Sequence, residues 1–106
     1  MRIRKETESM NQEEVALIAK CSDALGHPAR VQIFRYIYKE NMQRRKVCNK
    51  DIVAATGYAQ ATVSQHLSKL TFSGLVAVEK KETYSYYYVN IGVLGSYLNA
   101  VKKLNA

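Results

Sequence analysis

Apolar residues recur at three- and four-residue steps through most of the chain, and the interruptions mark its turns. Val15, Ile18, Ala19 and Leu25 share one side of a predicted helix that opens at Asn11, where Glu14 three residues later supplies a capping box, and closes at Gly26. Pro28 suits the first turn of a second helix, where its missing N–H costs nothing. Val31, Ile33, Phe34, Ile37 and Tyr38 carry the helical period on to about Asn41, which predicts a broad buried face. From Met42 to Val47 the chain is basic and irregular. Asn49 is the expected cap of a short third helix with Ile52, Val53 and Ala55 inward, stopped by Gly57. A fourth helix spans about Gln60 to Ser73. At ~100° per residue Val63, Leu67 and Leu70 share its inner side, leaving Ala61, Thr62, Ser64, Gln65, Ser68 and Lys69 on the flanks and the outside.

After Gly74 the period changes to two. Leu75 to Val78 and Tyr84 to Val89 read as strands joined through Glu79–Thr83, a hairpin with a charged tip. Alternation sets Tyr84, Tyr86 and Tyr88 on one face and Ser85, Tyr87 and Val89 on the other. A last helix, about Ile91 to Leu104, presents Ile91, Leu94, Leu98 and Val101 as a stripe that suits a partner as readily as its own domain. Residues 1–10 are polar and unpatterned and are expected to form a flexible arm, which leaves 11–106 as one domain. The expected fold is mainly α with a small β-hairpin (α+β). Five helices and a two-stranded wing, with the third and fourth helices meeting at a three-residue turn, make a winged helix-turn-helix.

The chain has 106 residues and a formal net charge of +7, so one small domain carries a positive field that favours polyanionic partners. No run approaches the ~18 apolar residues of a membrane helix, and no secretory leader is visible at Met1-Arg2-Ile3-Arg4-Lys5. Two cysteines are too few for a disulfide scaffold, which points to a reducing, cytoplasmic setting. An enzyme fails on inventory, with no paired acids, no nucleophile beside a base and no glycine-rich phosphate loop. No cofactor is expected. The outer side of residues 60–69 is short, polar and free of acids, which favours double-stranded DNA over an ordinary helix pair.

Ala24 to Ile33, Asp51-Ile52-Val53 to Gly57, Gln60 to Leu67 and Gly74-Leu75-Val76, with Tyr87 to Asn90, resemble in order and spacing the ArsR/SmtB-type winged helix-turn-helix repressors. The resemblance covers about residues 15 to 90. It implies a homodimeric bacterial-type repressor whose first and last helices form the interface, here through Val15, Ile18, Leu94, Leu98 and Val101. It also implies a near-palindromic operator, an inducer that releases DNA, and an inward Tyr87 and Val89. Gln60, Thr62, Ser64 and Gln65 are the candidates for base edges or nearby phosphates, because amides and hydroxyls both donate and accept. Ser68, Lys69, Lys80, Lys81, Tyr84, Arg44 and Arg45 are the further DNA candidates. For Tyr84, wing-tip phosphate contact and plain strand propensity remain open, and Arg44, Arg45 and Lys46 read either as a phosphate clamp or as a solvated loop. Phe72 points outward, under the wing or out of helical phase.

Three departures from the family pattern matter. Ala59 stands where a serine commonly caps the recognition helix, at a cost of ~1 kcal/mol if nothing else accepts those N–H groups. Lys50 stands where arsenic sensors have a second cysteine after the position of Cys48, and Val93–Ala106 holds no carboxylate or histidine, so neither familiar metal site is expected. His27 and His66 read as structural histidines. Cys21 and Cys48 are possible redox thiols, with inert packing as the default for Cys21. Two alternatives to a DNA regulator of ordinary type stay open: a winged helix that docks an acidic protein, and a thiol-responsive regulator.

Overall fold

The computed structural model describes residues 9–106; the expected arm lies, for its first eight residues, outside that range. Helix α1 (Gln12–Ala24) begins on the predicted capping box, with the Glu14 N–H donating to Asn11 Oδ1 at 2.8 Å and the Asn11 N–H to Glu14 Oε1 at 3.2 Å. Helix α2 (Pro28–Met42) is capped by His27, whose Nδ1 accepts from the Ala29 N–H at 3.0 Å. Helix α3 (Asn49–Thr56) starts one residue earlier than expected. Cys48, not Asn49, is its N-cap, and the Asp51 carboxylate accepts the Cys48 N–H at 2.9 Å. Gly57 closes it with φ 78°, a left-handed conformation that a side chain would strain, and its N–H reaches Val53 O at 2.8 Å.

Helix α4 (Gln60–Phe72) leads through a turn to strands β1 (Val76–Lys81) and β2 (Tyr84–Val89), which pair antiparallel from Val76↔Val89 to Lys81↔Tyr84. The wing is therefore longer than the sequence suggests. Its charged tip continues the strands, and only Glu82 and Thr83 form the loop, with Glu82 at φ 56°. Val47, in the stretch expected to be irregular, bridges to Tyr87, whose N–H donates to Val47 O at 2.8 Å. Helix α5 (Ile91–Lys102), capped by Asn90, ends in a 3₁₀ turn over Lys103–Asn105 and packs on α1. Among the described residues no helix is long and apolar enough to cross a membrane.

The core takes one stripe from each of α1 to α4, Cys21 and Ala24, Ile33 and Ile37, Ile52, then Val63, Leu67 and Leu70, with Val47, Leu75, Val76 and Val89, and α5 packs Val93, Leu94 and Tyr97 against it. Each fully buried Ile, Leu or Val contributes on the order of 1.5–3 kcal/mol, so the three on α4 fix which side of that helix faces out. Several expected core positions are instead at the surface. Val15 is 50% exposed, Ala19 and Ala55 are exposed, and on α2 Val31 and Tyr38 lie outside the buried face formed by Ile33 and Ile37. On α5 the buried or half-buried side is Val93, Leu94, Tyr97, Ala100 and Val101, while Ile91 and Leu98 are exposed. Helical period identifies a face; it does not say how much of that face its own chain covers.

Candidate nucleic-acid interface

With Val63, Leu67 and Leu70 turned inward, Gln60, Ala61, Thr62, Ser64, Gln65, Ser68 and Lys69 all remain exposed along α4. No side chain caps the helix at Ala59, so its first N–H groups receive no side-chain acceptor. The preceding turn is tied down. Thr56 Oγ1 donates to Ile52 O at 2.7 Å and accepts the Tyr58 N–H at 3.2 Å, and the Tyr58 hydroxyl donates to Gln32 Oε1 on α2 at 2.9 Å. Asn49 Nδ2 donates to Ser64 Oγ at 2.9 Å, which fixes the angle between α3 and α4 and leaves the Ser64 hydroxyl proton available. Asn49 Oδ1 is buried without a partner.

The start of α3, the start of α4 and the wing enclose a cavity of about 390 Å³, lined in part by Lys50, Gln60, Thr83 and Tyr84. Gln60, Tyr84 and Lys50 thus line one cavity. Sequence reasoning treated Lys50 only as a missing cysteine; its place at the start of the helix that precedes the recognition helix could have flagged it. Tyr84, 49% exposed, stacks on Tyr86 with ring centroids 6.2 Å apart, and the Lys46 ammonium lies 5.2 Å from the Tyr86 ring. Lys80 and Lys81 are exposed near the tip, with Lys81 only 4.0 Å from Glu79, a contact too long and too solvated to tie up the charge.

Arg44 and Arg45 sit elsewhere. Asn41 Oδ1 accepts the Val89 N–H at 2.9 Å while its Nδ2 donates to Arg45 O at 3.2 Å, which puts this loop at the end of the hairpin opposite its tip. Arg45 donates Nε to Glu40 at 2.8 Å, and that hydrogen bond and charge raise its pKa further. The expected clamp is therefore split: Arg45 is committed to Glu40, and Arg44, exposed at φ 61°, is the turn residue beside it.

His66, read from sequence as a structural histidine, has His27 beside it with ring centroids 4.8 Å apart, and its Nδ1 accepts from an Arg30 terminal nitrogen at 3.4 Å. Arg30 also donates Nε to Ala24 O at 2.6 Å and its other terminal nitrogen to Asp23 O at 3.4 Å, closing the C-terminal end of α1. Burial, then the His27 and Arg30 charges, lower the His66 pKa. Among the described residues no group of three or more His, Cys, Asp or Glu is placed to hold a metal ion.

The two thiols are free and differ in setting. Cys21 is fully buried with Sγ 3.9 Å from Ser73 O, and burial raises its pKa, which makes it a packing residue and a poor redox centre. Cys48 is half-buried with Sγ 3.3 Å from the Asp51 carboxylate. Of the expected interface residues, Val15 and Leu98 are exposed and Ile18, Leu94 and Val101 are half-buried. Helices α1 and α5 are joined by a Ser22–Tyr97 hydroxyl contact at 2.9 Å and a Lys103–Glu14 ion pair at 2.6 Å, the latter with Asn11 holding the Glu14 carboxyl below its usual range.

Residues 27–78 match the family described as bacterial regulatory protein, arsR family. No protein of curated function matches the chain. Among solved structures, an ArsR-like transcriptional regulator from Rhodococcus sp. RHA1 is similar at 17% identity and TM-score 0.74, over 87% of this chain and 82% of that one. Reduced HlyU from Vibrio cholerae aligns at 18% identity and TM-score 0.65, over 90% and 96%. A homodimeric winged helix-turn-helix DNA-binding domain from Mycobacterium bovis, a possible ArsR-family regulator, aligns at 22% identity and TM-score 0.66, over 92% and 91%. The fold is the winged helix-turn-helix, five helices and a two-stranded antiparallel hairpin, and the matched family model is described as one of bacterial regulatory proteins.

Proposed function

Because residues 27–78 match the arsR family of bacterial regulatory proteins, we propose that the chain is a sequence-specific DNA-binding repressor acting as a homodimer. The observation that carries this reading is the acid-free outer side of α4, where Gln60, Thr62, Ser64, Gln65, Ser68 and Lys69 are exposed while the opposite side is fully buried. A helix presenting only short donors and acceptors fits the major groove, where every base pair shows a distinct pattern. Thr62, Ser64 and Gln65 address base edges, and Gln60 shares its cavity with Lys50 and Tyr84 at the flanking backbone. Lys69, Lys80, Lys81 and Lys50 neutralise phosphates, which supplies most of the affinity and makes it salt-dependent, and the Ser68 hydroxyl donates to a phosphate oxygen. Arg44 contributes only long-range charge, and Arg45 less, because Glu40 already pairs it.

Pairing through α1 and α5, around Val15, Ile18, Leu94, Leu98 and Val101, sets two recognition helices in successive major grooves about 34–36 Å apart on a near-palindromic operator. Dimerisation would also cover Val15 and Leu98, which the monomer leaves half exposed. Residues 11–106 form the domain. Repression follows from occlusion of a promoter. A gel shift with the DNA upstream of the chain's own coding sequence tests the proposal: a discrete complex resistant to excess unrelated duplex is expected. Binding of every duplex alike, or of none, would favour a docking module for an acidic protein.

A further inference from the structure

One groove on the same helix shares Gln65, Ser68 and Lys69 with the proposed DNA-reading surface and extends beyond it to Arg30, His66 and Phe72. It is an open hollow of about 690 Å³ lined by Arg30, Gln65, His66, Ser68, Lys69 and Phe72, a size that accommodates a small organic ligand. Arg30 and Lys69 in its lining can only donate, while Gln65 and Ser68 both donate and accept. Arg30 spends three of its N–H groups on Ala24 O, Asp23 O and His66 Nδ1, which lock the guanidinium in place; the remaining two of a guanidinium's five find no partner among the described residues. Since His66 Nδ1 accepts that bond, the neutral ring carries its proton on Nε2 and donates from there. Lys69 adds a full charge, and among the described residues no carboxylate lines the hollow. At its edge Phe72 is 77% exposed, the most exposed large apolar side chain of the described residues, with the Lys20 ammonium 4.8 Å from its ring. An aromatic ring held out beside a fixed guanidinium is a platform for a flat anion. The sequence left Phe72 without a partner, and it packs neither under the wing nor out of phase.

We propose that this groove binds a small aromatic carboxylate, its ring on Phe72 and its carboxylate on Arg30, His66 and Lys69, and that occupancy displaces DNA. The second half rests on the proposed function, because Gln65, Ser68 and Lys69 belong to both surfaces: ligand and DNA exclude one another without any change of fold. A carboxylate also neutralises Lys69, which weakens the remaining attraction for phosphate.

The test is an amide-shift NMR titration of the full chain with 2-naphthoate at constant ionic strength, beside acetate and 2-naphthylmethanol. Saturable sub-millimolar binding is expected, with shifts confined to residues 65–72 and Arg30, at least tenfold weaker for the alcohol and without saturation for acetate. Phe72→Ser, at an exposed site, should fold normally, lose tenfold or more in naphthoate affinity and keep its DNA affinity. Shifts scattered over the basic surface, or unchanged binding in Phe72→Ser, would overturn the site. In a parallel duplex-binding assay, saturating naphthoate should weaken the wild type at least fivefold and leave Phe72→Ser unaffected; equal DNA affinity with and without bound naphthoate would overturn the displacement. If no duplex binds at all, the proposed function fails while the titration still decides the site.

Discussion

The start of the recognition helix offers a stabilisation that the chain does not use. Ala59 is the N-cap of α4, at φ −64° and ψ 149°, an extended backbone from which a serine hydroxyl can accept the N–H of Ala61 or Thr62. Because Val63, Leu67 and Leu70 already anchor the helix in the core, its first turn is formed in the native state whether or not it is capped. Ala59→Ser should therefore contribute close to the full effect of a cap, about 1 kcal/mol within a range of ~0.5–2. For a domain of this size that raises Tm by about 4–8 °C. The assay is urea denaturation at fixed protein concentration, since a dimer's stability depends on concentration. The midpoint should rise with an unchanged m-value, whereas Ala59→Leu should give no gain. An unchanged or lowered midpoint for Ala59→Ser would refute the reasoning and mean that the N–H groups at this turn are already satisfied.

Asn41→Ala removes the acceptor of the Val89 N–H and the donor to Arg45 O, and should cost about 1–3 kcal/mol in the same denaturation assay. His66 has a folded-state pKa below its ordinary 6.5, so as pH falls through 6.5 the unfolded chain takes up the proton first and stability drops, levelling off below the folded value. Thermal melts from pH 7.5 to 5.5 should show this loss, and His66→Gln should reduce it. Leu98→Glu, at a side chain 49% exposed on α5, should convert the proposed dimer to monomer in sedimentation velocity with an unchanged far-ultraviolet spectrum.

What the sequence disclosed followed from local rules. The Asn11–Glu14 box, Pro28 at the start of α2, Gly57 at the end of α3 and the inward triplet of α4 each depend on residues three or four apart, so spacing alone locates them. The Cys48 cap was hidden because a thiol is a poor capping group; here Asp51, reaching back to the Cys48 N–H, defines the turn, and the same spacing of three could have revealed it. The length of the wing was hidden by its charges, since Glu79, Lys80 and Lys81 resemble a loop yet pair with Tyr86, Ser85 and Tyr84. The binding surface divided in the same way. Exposure along α4 was legible, whereas the loss of Arg45 to Glu40, the sharing of one cavity by Lys50 and Gln60 and the meeting of His27 with His66 depend on how elements pack. Those juxtapositions join residues up to 39 positions apart, beyond what a pattern of period two or 3.6 records.

The assignment of α4 as the element that reads base sequence is tested most directly by comparing Gln65→Ala with Lys81→Ala in fluorescence anisotropy, on operator and scrambled duplexes across a salt series. Gln65→Ala should lose the preference for operator while keeping its salt slope; Lys81→Ala should weaken both duplexes alike and flatten the slope by about one unit. Indistinguishable effects of the two substitutions, or full operator preference in Gln65→Ala, would contradict it.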